Sequence, residues 1–303
     1  MEKGKPVWGI DLGGTKIEGA ILESASNMNV LERMRVPTEG SKGYEHVLSQ
    51  IKKLLDQMSA KTGLRPEYIG IGTPGVLDPD LSTMKNCNST ALNGKYLKKD
   101  LEDMLGIEVR MANDANCFAV AETLLGAVRE VAPAAKVTFG VIMGTGVGGG
   151  LVVNGSAVYG RHGIAGEWGH NFLDESGGVC YCGKLGCVET VISGPGTQRY
   201  YTSLTGKEKS MQEIVALSKE EEEPAVKTMQ RLVTYFGKGI ANVINIIDPD
   251  VIVLGGGLGN IDLLYTKGVK EVEKHLFNHV LRTQFLKPKL GDSAGVFGAA
   301  LLQ

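Results

Sequence analysis

From Val137 to Gly160 the chain reads VTFGVIMGTGVGGGLVVNGSAVYG, 24 residues with no charge and eight glycines. The run is long enough to span a membrane, but each glycine in a helix costs about 1 kcal/mol relative to alanine. A spanning helix is therefore excluded, and two short β-branched strands joined by a glycine turn are expected. The stretch also holds a formal Gly-x-Gly-x-x-Gly at Gly144, Gly146 and Gly149. A dinucleotide fingerprint needs a helix after its glycines, and GLVVNG is short and β-branched, so a hairpin is the better reading.

The same strand–turn–strand pattern occurs near the N-terminus in VWGIDLGGTKIEGAILE. Two such units suggest two related α/β halves. At 303 residues the chain exceeds one comfortable core, which also argues for two domains. Apolar spacing at Val47, Ile51, Leu54, Leu55 and Met58 predicts a helix over 44–61. Helices are further expected over 210–218 and 222–247, and EVRMAN leads as a strand into a helix opened by Asn113 and Asp114. The acidic run 220–223 reads as a solvated helix start or loop. A net charge of -2 provides no broad basic face for nucleic acid. No secretory signal is visible, so a cytoplasmic protein is expected. In a reducing compartment, five cysteines suit metal ligands and buried thiols better than disulfides.

Three glycine loops stand out: 11–16 (DLGGTK), 144–146 (GTG) and 255–259 (GGGLG). Each alone is explained by a tight turn. Together, with Asp, Thr and Lys attached, they suit a nucleotide, because glycine leaves backbone N–H groups open to anionic oxygens. Asp11 could hold a phosphate-bound Mg²⁺. At the strand-to-helix junction, Asn113 and Asp114 read either as a helix cap or as a substrate-orienting amide and a general base.

In order, the segments GIDLGGTK, GTPGV, NDANCFAVAE, GTGVGGGLVVNG, GEWGH and CYCGKLGCVE resemble the ROK family (repressor, open reading frame, kinase), particularly its bacterial glucokinases and hexokinases. The likeness runs over nearly the whole chain. It implies an α/β, actin-like or hexokinase-type (ribonuclease H-like) fold with two domains around a cleft. The expected division is 1–113 plus 288–303 against 114–287. The implied activity is ATP-dependent phosphorylation of a hexose 6-hydroxyl, glucose first, with Asp114 as base. An N-acetylhexosamine, mannose, fructose or allose is the alternative substrate. A sugar-responsive regulator is a remote one, since only ten residues precede Asp11 where such proteins carry a DNA-binding domain.

By the same resemblance, Asp11, Gly13, Gly14, Thr15 and Lys16 form one phosphate loop, and Gly144, Thr145 and Gly146 form a second. Gly255, Gly256 and Gly257 lie by the adenosine. Gly75, Asn88, Asn113, Glu167, His170 and Glu189 line the sugar. His170, Cys180, Cys182 and Cys187 match structural zinc ligands, and three thiolates with one imidazole make a closed tetrahedral set. His170 would then hold zinc through one ring nitrogen and a sugar hydroxyl through the other. Cys117 is expected in the core, Cys87 is left without a role, and Glu175 is expected in solvent. The resemblance also implies a homodimer, with no nucleic-acid or membrane partner.

Overall fold

The computed structural model describes residues 4–87 and 89–302, the side chain of Met28 excepted. Two compact units emerge. Unit 1 holds the described parts of Met1–Ala134, Gly150–Ala165 and Lys289–Gln303, and unit 2 holds Ala135–Gly149 and Gly166–Pro288.

In unit 1, β1 (Val7–Leu12), β2 (Lys16–Ser24) and β3 (Asn27–Pro37) form an antiparallel meander. Helix α1 (Tyr44–Thr62) follows, ended by Gly63 in the left-handed conformation that glycine adopts without a Cβ penalty. Next come β4 (Tyr68–Thr73), a small hairpin of β5 (Val76–Leu77) and β6 (Met84–Lys85), and α2 (Leu97–Leu105). They lead into β7 (Glu108–Asn113), α3 (Asp114–Leu124) and α4 (Ala127–Val131). The sheet order is β3-β2-β1-β4-β7, with β4 parallel to both β1 and β7. One face of the sheet buries Ile10, Ile17, Ile21 and Ile71 in a core shared with Ile51, Leu54 and Met58 of α1. Those helix residues recur at the spacing that predicted the helix.

Unit 2 opens with β8 (Val137–Met143) and β9 (Val147–Val153), the charge-free hairpin; β9 passes from unit 2 into unit 1 after Gly149 and continues to β10 (Ser156–Ala157). No helix follows the glycines, so the dinucleotide motif is only formal. Helices α5 (Val188–Ile192), α6 (Gly194–Thr205), α7 (Met211–Lys219) and α8 (Glu223–Ile247) come next, then β11 (Val251–Gly255), α9 (Val269–Glu273) and β12 (Gln284–Leu286). Strand β11 is buried along its length and pairs in parallel with β8 and β12. A strand covered on both faces is apolar without alternation, as VIVLG is. Ser210 and Glu213 form a reciprocal capping box on α7. Within the acidic run, Glu222 caps α8 by accepting from the Ala225 N–H at 2.8 Å.

The last helix, α10 (Ala294–Ala300), returns to unit 1. It lies against β1 and β4 at Gly9 and Gly70, where any Cβ would strike its backbone carbonyls. Gly298 meets Cys117 of α3 just as closely. This packing explains why α3 and α4 group with unit 1 instead of opening the second domain at residue 114. Residues 150–165 also fall in unit 1, for Gly150 abuts Ala115. Among the described residues, no helix is long and apolar enough to cross a membrane.

Candidate active site

In unit 1 the functional candidates gather at the carboxyl ends of β1, β4 and β7. The first glycine turn is closed by Gly13 N–H donating to Lys16 O at 3.0 Å, and Thr38 Oγ1 donates to Gly13 O at 2.7 Å. Gly14, Thr15 and Lys16 stay exposed. Asp11 faces Glu18 across the β1–β2 ladder. Burial, reinforced by the negative charges of Asp114 and Glu18, pushes the Asp11 carboxyl up to about 6, against the pull of Lys16. Glu18 has a side chain only 2% exposed and pairs with Arg33, with Arg35 at 2.8 Å and with Lys16 at 3.7 Å. Despite its burial the two arginines hold its pKa below the usual range. Sequence reading missed Glu18, because its two arginines lie a strand away.

Strand β7 hands over to α3 at Asn113 and Asp114. Asn113 is the N-cap, its Oδ1 accepting from the Asn116 N–H at 2.8 Å. The plain reading of that residue is therefore realised, whatever else its amide does. Asp114 is open to solvent on one side, yet desolvation by the surrounding protein raises its pKa, and an N–H from Ala115 at 2.8 Å offsets this only in part. Two carboxylates with raised pKa values, Asp11 and Asp114, form the kind of crowding that a cation would relieve. Cys117 is fully buried one turn further along α3, and Cys87 is buried too, both in packing positions. Gly75 lies where a Cβ would meet the Lys85 carbonyl at 2.7 Å. Loop packing alone thus requires glycine there. Asn88 lies outside the described residues.

Unit 2 brings together the second glycine turn and the loop of residues 166–190. Gly144 N–H donates to Gly146 O at 2.9 Å to close the turn, and Gly194 N–H donates to Gly144 O at 2.8 Å. Glu189, on the first turn of α5, accepts from Val147 N–H at 2.9 Å. A Cβ on Gly146 would sit 2.6 Å from that carboxylate. A cavity of about 1350 Å³ within unit 2 is lined by Gly144, Thr145, Met211, Met229, Gly257 and Lys270, among others. Of the third loop, Gly257 reaches this cavity, whereas Gly255 ends β11 and Gly256 packs on the Met143 backbone.

The four metal candidates converge as well. One ligand atom from each of His170, Cys180, Cys182 and Cys187 lies within 4.8 Å of the others. Cys180 Sγ is 3.6 Å from His170 Nδ1, and Cys182 Sγ is 3.6 Å from Cys187 Sγ. A tetrahedral zinc with bonds of about 2.0–2.3 Å spaces its ligands roughly 3.5–3.8 Å apart, so the set fits that ion. Gly178, Gly183 and Gly186 turn the loop through left-handed conformations. The second nitrogen of His170 is already engaged: Nε2 lies 3.0 Å from Tyr181 Oη. Trp168 is a core residue, its ring edge-on to Phe139 and its N–H donating to Gly148 O at 2.9 Å. Glu167 is half-buried beside it, and Glu175 is exposed.

Residues 7–303 match the ROK family. The chain belongs to that family. It is 37% identical to the N-acetyl-D-glucosamine kinase of Vibrio cholerae, over 97% of this chain and 98% of that protein. The N-acetyl-D-glucosamine kinase of Histophilus somni is 36% identical over the same shares. Among solved structures, the ROK hexokinase of Thermus thermophilus superposes with a TM-score of 0.86 at 30% identity, covering 98% of this chain and 97% of that one. A ROK family glucokinase from Streptomyces griseus, solved with glucose and AMPPNP, gives a TM-score of 0.76 at 26% identity, covering 97% and 98%. The hexokinase-type α/β fold expected from the sequence is therefore the observed one.

Proposed function

We propose that this protein is an ATP-dependent sugar kinase that phosphorylates the 6-hydroxyl of N-acetyl-D-glucosamine. The observation that carries the reaction class is Asp114, an accessible carboxylate with a raised pKa at the amino end of a helix, in a ROK-family chain. A base poised nearer neutrality is well matched to taking a hydroxyl proton. The sugar is supported by relatives at 36–37% identity that are N-acetyl-D-glucosamine kinases. They shift the preferred substrate away from glucose, toward the alternative that the sequence had left open.

In this reading Asp114 accepts the proton of the attacking hydroxyl, and Asn113, Glu167, His170 and Glu189 hold the sugar's other hydroxyls. Gly13 to Lys16 and Gly144 to Gly146 offer N–H, hydroxyl and ammonium donors to the phosphates, and the cavity that Gly257 borders takes the nucleoside. Asp11 would hold a nucleotide-bound Mg²⁺, which neutralises charge on the phosphoryl oxygens when present. His170, Cys180, Cys182 and Cys187 would hold a structural zinc that stiffens the loop carrying Glu189. A homodimer is part of the proposal, and light scattering showing a monomer would remove it. The kinase reading is tested by coupled ADP release from Mg-ATP with N-acetyl-D-glucosamine. Sugar-dependent turnover supports it, and its absence with every hexose tried removes it.

A further inference from the structure

Tyr181 sits between two of the metal-candidate cysteines, and no expectation from the sequence involved it. Its hydroxyl lies 3.0 Å from His170 Nε2, and its ring stands edge-on to the imidazole with centroids 5.2 Å apart. The charges of Glu189 and Glu167 also act on this phenol. So one hydroxyl lies on His170 and within the electrostatic reach of Glu167 and Glu189. These are the three unit 2 residues assigned above to sugar hydroxyls.

We propose that Tyr181 is a specificity and affinity determinant whose hydroxyl stands in for a sugar hydroxyl in the sugar-free protein and must be displaced when the sugar binds. The inference rests on the sugar-kinase reading. Its physical core is that His170 Nε2 has room for one hydrogen-bond partner. Nδ1 lies 3.6 Å from Cys180 Sγ, so a metal held by the cysteines would take Nδ1 and leave Nε2 as the nitrogen free to bond elsewhere. Nε2 is engaged by Tyr181 Oη at 3.0 Å. A sugar hydroxyl needs the same nitrogen, so the two hydroxyls compete for it. Displacement meets little resistance, since Tyr181 is 74% exposed and has few packing contacts to lose. A sugar that offers this imidazole no hydroxyl gives nothing in exchange for the lost bond, so the competition also selects among sugars.

The test is isothermal titration of N-acetyl-D-glucosamine and D-glucose into the full-length protein and into Tyr181→Phe, with zinc content measured in both. Tyr181→Phe keeps the ring and removes the competing oxygen, and sugar affinity is expected to rise about fivefold, the worth of one ordinary hydrogen bond. AMPPNP affinity, zinc content and melting temperature are expected to stay at their original values, which separates displacement from a structural role. Tyr181→Leu should reproduce the gain. In ¹⁵N-labelled protein the His170 Nε2 signal should move on Tyr181→Phe without sugar and move again on adding sugar. Unchanged or weaker sugar binding by Tyr181→Phe, with the original protein binding sugar, overturns the proposal alone. If neither protein binds any sugar, the kinase reading falls and takes the proposal with it.

Discussion

The two glycine hairpins have nearly the same local form and very different surroundings. The turn at Gly13 is flanked in sequence by its own chemistry: Asp11 before it, Thr15 and Lys16 within and just after it, and Glu18 two residues on. The turn at Gly144 lies between strands with no charge at all, and the carboxylate bonded beside it is Glu189, 42 residues away. The first site is thus written locally, while the second is assembled by the fold. Their electrostatics differ accordingly. Asp11 is pushed up by burial and then by neighbouring carboxylates, whereas Glu189 accepts from a backbone N–H.

The largest effect should come from the helix that follows β7. Asp114→Ala is expected to lower kcat by about 10²–10⁴-fold, the usual contribution of a positioned base, with melting temperature unchanged. Coupled ADP release beside a thermal scan checks both halves of that statement. At the assembled turn the loss should appear in binding. Glu189→Gln can still accept from Val147, so the turn should survive, while the KM for sugar rises roughly 10–100-fold through loss of a charged acceptor. A kcat loss as deep as that of Asp114→Ala would erase the contrast between the two regions.

Stability sharpens the comparison further. Cys187→Ser removes a fully buried ligand of the assembled loop and should reduce bound zinc and lower the melting temperature by roughly 5–10 °C together. Full stability with one zinc per chain would show the ligand set to be wrong. The smallest expected effect belongs to Asp11. Its folded pKa of about 6 lies above its ordinary value of 3.8, so the folded state binds this proton more tightly than the unfolded one. Its cost to stability develops as pH rises from about 4 to 6 and is fully present above. Asp11→Asn should therefore melt higher than the original protein at pH 7, lose that advantage near pH 4, and still lose activity.

The same contrast explains what could be read from the sequence. The helix expected over 210–218, the apolar stripe of α1 and the uncharged hairpin at Gly144 all report short-range physics, and each lies within a residue or so of where the pattern placed it. The four metal candidates were visible because three of them fall within eight residues. Glu18 with its arginines, Glu189 on Val147 and Tyr181 on His170 depend on strand pairing and loop closure, which leave no local signature. The expected domain boundary at residue 114 was drawn from local pattern, which cannot register α10 packing on α3, where Gly298 meets Cys117 from a distant part of the chain. The identity of the sugar is the least legible feature, for sugars that differ by one group are told apart by a few pocket contacts worth roughly 1–3 kcal/mol each.

The most direct test is therefore a competition. N-acetyl-D-glucosamine and D-glucose at equal concentration are given limiting Mg-ATP, and the two phosphorylated products are quantified by ³¹P NMR. The proposed function predicts N-acetyl-D-glucosamine 6-phosphate in at least about tenfold excess, as one or two such contacts would give. Glucose 6-phosphate as the major product would contradict it.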